Sequence, residues 1–196
     1  MPPLPLSQQQ IADAIDCPLE NVSQNWPLIE TCMDALKVGS VNSKIGVLAT
    51  VAVETANTFM PIHEQCSKGY TVRHYDGRVD LGNTHAGDGW RYRGRGFIQI
   101  TGELNYEDYG RRLGIDMIDN PNDPSDDANP EKACDPNVAA AILAAFWHDR
   151  KCDIYADAGQ WSQVRRRVNG GTNGLSPFLR YVADLQQMTT TAFPHS

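Results

Sequence analysis

The sequence lacks the features that mark several classes of protein. Its 196 residues carry a formal net charge of −7, and the one basic run is Arg165-Arg166-Arg167. Nucleic-acid-binding proteins usually present a basic face, so we expect no nucleic-acid partner and interpret this run as a solvated helix end. No hydrophobic run approaches the roughly 20 residues that a membrane span needs. We therefore also expect no stable association with a membrane.

Cysteines are few and show no pattern. The chain has five of them, an odd number, and no pair has the CxxC spacing: Cys17, Cys32, Cys66, Cys134 and Cys152. Reduced, partly buried thiols are the default for such a set, although a bridge between Cys134 and Cys152 remains an alternative. The histidines around Cys66 match no common zinc-ligand spacing. We expect no metal and no cofactor.

The N-terminal stretch 1–6 lacks the basic start and long apolar core of a signal peptide. The product is therefore expected to accumulate in the cytoplasm unless another route exports it. A hydrophobic content of 41% is ordinary for a globular protein. The sequence has no internal repeats and no linker that would divide it into domains. We therefore predict a single catalytic domain over 1–196, without a separate wall-binding module, and we expect a monomer.

Apolar residues recur at helical spacing through most of the chain. The pattern and its flanking caps, prolines and glycines predict helices over 7–16, 27–37, 42–57, 104–113, 137–149, 159–168 and 177–189. The segment 119–136 is rich in proline and acidic residues, which predicts a surface loop. Segment 62–92 has glycines and short runs such as Tyr70-Thr71-Val72, with little helical period. We interpret it as a small β-rich lobe, which makes the fold mainly α (α+β).

Two glutamates lie ten residues apart, Glu54 in the last turn of the third predicted helix and Glu64 at the edge of the predicted lobe. A carboxyl at a helix C-terminus faces the negative end of the helix dipole, and nearby apolar residues would desolvate it. Both effects favour the protonated form that a general acid needs. Glycoside hydrolysis uses one protonated and one ionised carboxyl, so the pair is a candidate for that chemistry.

The most distinctive stretch is 92–106, YRGRGFIQITGELNY. Its glycines allow backbone and ligand to approach closely, and a short apolar run alternates with Gln99 and Thr101. Neutral donors and acceptors of this kind, together with Asn105, can contact sugar hydroxyls or position a water. A buried strand with incidental polar residues is the alternative interpretation.

Together these motifs resemble glycoside hydrolase family 19, most closely its phage endolysin and bacterial muramidase-like branch. The resemblance rests on residues 51–55 with Phe59, on Glu64, on the stretch 92–106 and on Asn169-Gly170-Gly171. It extends from about residue 45 to residue 175. It implies the lysozyme-like fold, in which a helical body and a small β-rich lobe flank a cleft.

The resemblance also implies roles for individual residues. Glu54 takes the position of the general acid, Glu64 that of the general base, and Thr101 that of the residue that helps to hold the attacking water. Substrate contacts are implied for Arg95, Gln99, Asn105, Tyr106, Asn169 and Gly170. Chitinase-type members invert the anomeric centre, so a single displacement by water is the expected mechanism.

The activity that the resemblance implies is that of a peptidoglycan hydrolase, which cleaves the β-1,4 bond between N-acetylmuramic acid and N-acetylglucosamine. Its partners are glycan strands, which it would reach in the periplasm after holin-type release from the host cytoplasm. A chitinase and a lytic transglycosylase are alternatives. A catalytically silent carbohydrate-binding domain is a third, because Val53 stands where many members have histidine and Ala56-Asn57-Thr58 replaces the usual glycines.

Overall fold

The computed structural model describes residues 3–118 and 129–192. Ten helices and two short strands are present in these ranges. The helices are α1 (Gln8–Ala14), α2 (Leu19–Ala35), α3 (Val41–Glu54), α4 (Lys68–Tyr75), α5 (Asp88–Arg91), α6 (Glu103–Leu113), α7 (Pro136–Asp149), α8 (Cys152–Asp157), α9 (Trp161–Asn169) and α10 (Leu175–Ala192). The strands are β1 (Ile62–His63) and β2 (Arg95–Gly96). The predicted mainly α fold class is confirmed.

The chain divides into two compact units, residues 1–60 with 143–196 and residues 61–142. Helix α3 is the centre of the first unit, and its side chains from Ser43 to Ala52 are buried. Gly46 allows aromatic rings to approach this helix closely, because a Cβ there would lie 3.0 Å from the ring of Trp147 and 3.3 Å from that of Trp161. Trp147 is itself buried and donates its indole N–H to Ser43 Oγ over 2.7 Å.

A buried charge lies on the same helix. Lys44 has no exposed side-chain surface, and its ammonium pairs with Glu30 at 2.9 Å and with Asp34 at 3.2 Å. Both carboxylates belong to α2, so the charge is neutralised within the unit as burial requires.

In the second unit, β1 and β2 pair antiparallel, with Ile62 opposite Gly96 and His63 opposite Arg95. Helices α4, α5 and α6 complete this unit, together with 3₁₀ turns at Val79–Leu81 and Pro130–Cys134. Its buried side chains include the aromatic rings of Tyr92, Phe97 and Tyr106.

The structure differs from the sequence prediction in four places. The expected β character of 62–92 is confined to β1, because Tyr70-Thr71-Val72 lies inside α4, where Ser67 caps the first turn. Helix α2 begins at Leu19 and contains Pro27 in its interior, whereas the sequence predicted a helix that begins at Pro27. Helix α8 was not predicted. Of the predicted loop 119–136, residues 119–128 lie outside the described residues, and 130–134 form a 3₁₀ turn.

Candidate active site

Glu54 is the last residue of α3, as predicted, and its side chain is 16% exposed. Its Oε1 accepts a hydrogen bond from Nη1 of Arg165, on α9, over 2.5 Å. Arg165 is almost completely buried, so the expectation that the basic run is a solvated helix end is wrong for this residue.

The loop after α9 fixes the other side of Arg165. The guanidinium donates from Nε to the backbone oxygen of Asn173 over 2.7 Å. Asn169 donates to the same oxygen over 2.6 Å, and its own Oδ1 accepts from the Gly171 N–H. The Asn169 side chain therefore closes the loop that holds Arg165. We call Glu54, Arg165 and Asn173 the Glu54 site.

Gly174 makes this arrangement possible. Its φ is +70°, and a Cβ there would lie 2.8 Å from Val53 Cγ1 and 2.9 Å from Arg165 Nη2. Gly170, at φ +75°, ends α9 in the left-handed conformation that glycine adopts without strain. The predicted substrate contacts of Asn169 and Gly170 stay predictions, while the structure gives both residues a role in forming the loop.

Glu64 directly follows β1, and its N–H donates to the Gly94 oxygen over 2.8 Å, which extends the pairing of the two strands by one residue. Both carboxylate oxygens accept hydrogen bonds. The Tyr75 hydroxyl donates to Oε1 over 2.8 Å, and the Gly94 N–H donates to Oε2 over 3.2 Å. We call Glu64, Tyr75 and Gly94 the Glu64 site; Tyr75 was not among the predicted residues.

Gln99 and Glu64 flank the same glycine. A Cβ on Gly94 would lie 2.9 Å from Gln99 Oε1 and 3.4 Å from Glu64 Oε2. The amide nitrogen of Gln99 donates to the oxygens of Ile62 and Gly96, so this side chain is held by both strands. Its oxygen thus faces the side of Gly94 on which the Glu64 carboxylate lies.

Thr101 and Asn105 are linked to this group through the backbone. The Thr101 hydroxyl donates to the Gln99 oxygen over 3.2 Å, and the Asn105 amide donates to the Thr101 oxygen over 2.6 Å. The hydroxyl oxygen of Thr101 keeps lone pairs that can accept a further hydrogen bond. Both side chains are half-buried, and their predicted roles at a water and a sugar stay predictions.

Arg95 and Tyr106 lie in the interior of the second unit. Arg95 is almost completely buried; it donates to Glu131 Oε1, to the oxygens of Arg91 and Arg93, and to the Tyr106 hydroxyl. Burial raises the pKa of the Tyr106 phenol. The structure gives both residues a packing role, and their contact with a sugar stays a prediction.

Two groups in the described residues could offer ligands to a metal ion. His63, Glu131 and Cys134 place one ligand atom each within 4.8 Å of one another. However, the Glu131 carboxylate already pairs with Arg95 and lies 3.8 Å from Arg93, and two guanidinium groups oppose a dication. In the group of His85, Asp88 and Glu103, Asp88 pairs with Arg91, so the donor sets fit an ion poorly.

All five cysteines are free thiols, so Cys134 and Cys152 are not bridged. Burial, with the nearby Asp153 carboxylate, raises the pKa of Cys152 to about 12. A thiol with so high a pKa is a poor nucleophile at neutral pH. Burial also raises the pKa of Cys17, Cys32, Cys66 and Cys134, so none of the five has the lowered pKa of a reactive thiol.

Comparison with known proteins finds relatives of related sequence and solved structures of related fold. A Haemophilus influenzae glycosyl hydrolase family 19 domain-containing protein is 39% identical over 103 residues, which are 53% of this chain and 45% of that protein. The chain thus spans about half the length of this curated relative. No protein-family model matches the sequence.

The fold is shared over almost the whole chain with two solved structures. Chitinase C from Streptomyces griseus has a TM-score of 0.64 and 17% identity, with 96% of this chain and 78% of that one covered. A mutant of chitinase C has a TM-score of 0.61 and 18% identity, with 98% and 94% covered. The sequence relative and the shared fold together confirm that this chain resembles glycoside hydrolase family 19 and has its chitinase-like fold.

Proposed function

We propose that this chain is a peptidoglycan hydrolase that cleaves the β-1,4 glycosidic bond between N-acetylmuramic acid and N-acetylglucosamine. The observation that carries the proposal is that Glu54 and Glu64, to which the resemblance gives the roles of acid and base, are each fixed by specific donors. Each remains partly exposed, so a ligand can reach it. No cofactor is needed for this chemistry.

In this proposal Glu54 donates a proton to the leaving glycosidic oxygen. Glu64 accepts a proton from a water molecule that attacks the anomeric carbon, and the configuration inverts. Thr101, whose hydroxyl oxygen can accept a hydrogen bond, helps to orient that water. The products are two shorter glycans, one of which carries a new reducing end.

The choice of peptidoglycan rests on the resemblance of the motifs around Glu54, Glu64 and 92–106 to the endolysin branch. We further propose that the protein acts as a monomer on glycan strands after release from the host cytoplasm. Chitinase is the second candidate, because the two structures that share the fold are chitinases.

The test is digestion of purified peptidoglycan and of chitin oligomers, with mass analysis of the soluble fragments. Wild type should release muropeptides with reducing ends from peptidoglycan, and Glu54→Gln and Glu64→Gln should each release none. Glu107→Gln, on the exposed surface of α6, is the matched control and should be as active as wild type.

Each other result selects a different function. Cleavage of chitin oligomers alone would replace peptidoglycan by chitin. Fragments that carry an anhydro end, without incorporated water, would identify a lytic transglycosylase. Binding of either glycan without cleavage would overturn the enzymatic proposal. Full activity of Glu64→Gln would remove Glu64 as the base.

A further inference from the structure

We infer that Tyr75 is a positioning residue which, together with the backbone N–H of Gly94, holds the Glu64 carboxylate in one orientation as a base. The inference rests on the proposed role of Glu64. A carboxylate has about four lone-pair positions, and these two donors use one on each oxygen. The remaining positions can accept the proton of a water.

The backbone of Tyr75 is itself anchored. Tyr75 is the last residue of α4, and its oxygen accepts a hydrogen bond from the Asn83 amide over 3.0 Å. Asn83 is completely buried, and its Oδ1 accepts from the N–H of Glu103, the first residue of α6, over 3.0 Å. The phenol therefore donates to Glu64 from a residue that is fixed at both its backbone and its hydroxyl.

Gly94 provides the second donor and the space for the carboxylate. A Cβ at this position would lie 3.2 Å from Glu64 Cβ and 2.9 Å from Gln99 Oε1. Any side chain here would push Glu64, Gln99 or both away from their observed positions. Residue 94 must therefore be small, because Glu64 and Gln99 occupy the space that its side chain would fill.

The titratable groups around the Glu64–Tyr75 contact belong to three residues. Cys66, in the turn after Glu64, lies near both side chains, Tyr70 on α4 lies near Tyr75, and Arg93 lies near Cys66. Burial, followed by the hydrogen bond to Glu64, raises the pKa of Tyr75 above its ordinary value. Tyr75 is therefore a neutral donor across the working range of pH.

The first experiment compares Tyr75→Phe with Tyr70→Phe on the glycan that wild type cleaves. Tyr70 lies on the same helix and is 47% exposed, so its substitution removes a hydroxyl without touching Glu64. Tyr75→Phe should lower kcat about tenfold with little change in KM, because the carboxylate loses one of its two donors but the glycan does not lose a contact. Tyr70→Phe should keep the kcat and KM of wild type. Equal kcat values for the two variants would overturn the inference.

A second measurement does not depend on activity. The free energies of unfolding of Tyr75→Phe, Glu64→Gln and the double variant should not be additive, because the two side chains share one hydrogen bond. Additive losses would mean that the contact does not exist in solution. Gly94→Ala, if folded by circular dichroism, should lose activity like Glu64→Gln; full activity would exclude the role of Gly94.

These readouts separate the inference from the proposed function. If wild type cleaves neither glycan, the proposed function fails, and the inference fails with it. If wild type is active and Glu64→Gln is inactive, but Tyr75→Phe behaves as Tyr70→Phe does, the inference alone fails.

Discussion

Arg165 donates one hydrogen bond to the carboxylate of Glu54 and another to the backbone oxygen of Asn173, over 2.5 and 2.7 Å. The two bonds leave from different nitrogens of one planar group. A lysine ammonium, a point charge on a flexible chain, cannot reproduce both at once. The orientation of the Glu54 carboxyl thus depends on a guanidinium and not only on a positive charge.

Arg165→Lys should therefore lower kcat on the glycan substrate by about ten- to a hundredfold, the effect of losing a hydrogen bond to a charged group. Arg166→Lys is the matched control, since Arg166 is the next residue of α9 and is exposed. Steady-state kinetics of both variants check the prediction. Equal activity of the two would show that charge alone is sufficient.

Gly174→Ala should destabilise the first unit more than Gly159→Ala does. Both glycines have positive φ, +70° and +66°, so both substitutions carry the strain of about 1 kcal/mol that an L-residue meets there. Only Gly174 also lies against other atoms, Val53 Cγ1 and Arg165 Nη2, and this overlap should add about 1–3 kcal/mol. Urea unfolding of both variants gives the difference. Equal losses would contradict the close packing at Gly174.

Glu131→Gln should make the stability of the protein less dependent on pH. Burial alone would raise the pKa of Glu131, but the hydrogen bonds from Arg95 and His63 lower it below its ordinary value. A carboxyl whose pKa is lower in the folded state contributes stability above its unfolded pKa of about 4.3, and this contribution is lost as the pH falls through the folded value.

The variant should be less stable than wild type at pH 7 by about 0.5–1 kcal/mol, because solvent screens the ion pairs of a carboxylate that is nearly half exposed, and the two should converge below a pH of about 4. Thermal unfolding between acidic and neutral pH measures this. Asp80→Asn is the control, because the Arg78–Asp80 pair is exposed and should contribute no measurable dependence. A constant difference between Glu131→Gln and wild type at every pH would contradict the prediction.

Ser43→Ala should destabilise the protein by about 1–3 kcal/mol, because it leaves the indole N–H of Trp147 buried without its acceptor. Ser162→Ala removes an exposed hydroxyl and should have little effect. Chemical unfolding of the two variants tests this. A loss no larger than that of Ser162→Ala would mean that the indole finds another acceptor.

The helices with a clear apolar period could be predicted from the sequence. Helices α3, α6, α7 and α10 fall where the pattern indicated them, and Glu54 ends α3 as expected. Helix α4 could not be recognised, because Tyr70, Thr71 and Val72 are residue types that favour strands, and only the Ser67 cap indicated a helix. The sequence predicts a helix that begins at residue 27, whereas α2 begins at Leu19 and contains Pro27 two turns further on.

The candidate site was predicted only in part. The positions of Glu54 and Glu64 made them candidates, and the resemblance implied their roles, but neither indicated the residues that hold them. A signal for Arg165 was present, since Trp161, Val164, Arg165 and Val168 recur at the spacing of one helix face, which places this arginine inward. Tyr75 offered no such signal. Its contact with Glu64 depends on how the end of α4 lies against the residue after β1, which a linear pattern does not encode.

The loop that fixes Arg165 acts through a carbonyl oxygen, that of Asn173, and every residue type supplies one. The identity of residue 173 is therefore open to variation, while the number of residues between α9 and Gly174 is constrained. Substitution libraries at positions 172 and 173 should retain many active members. Insertion or deletion of a single residue there should inactivate the protein, so variation in this loop is tolerated in composition but not in length.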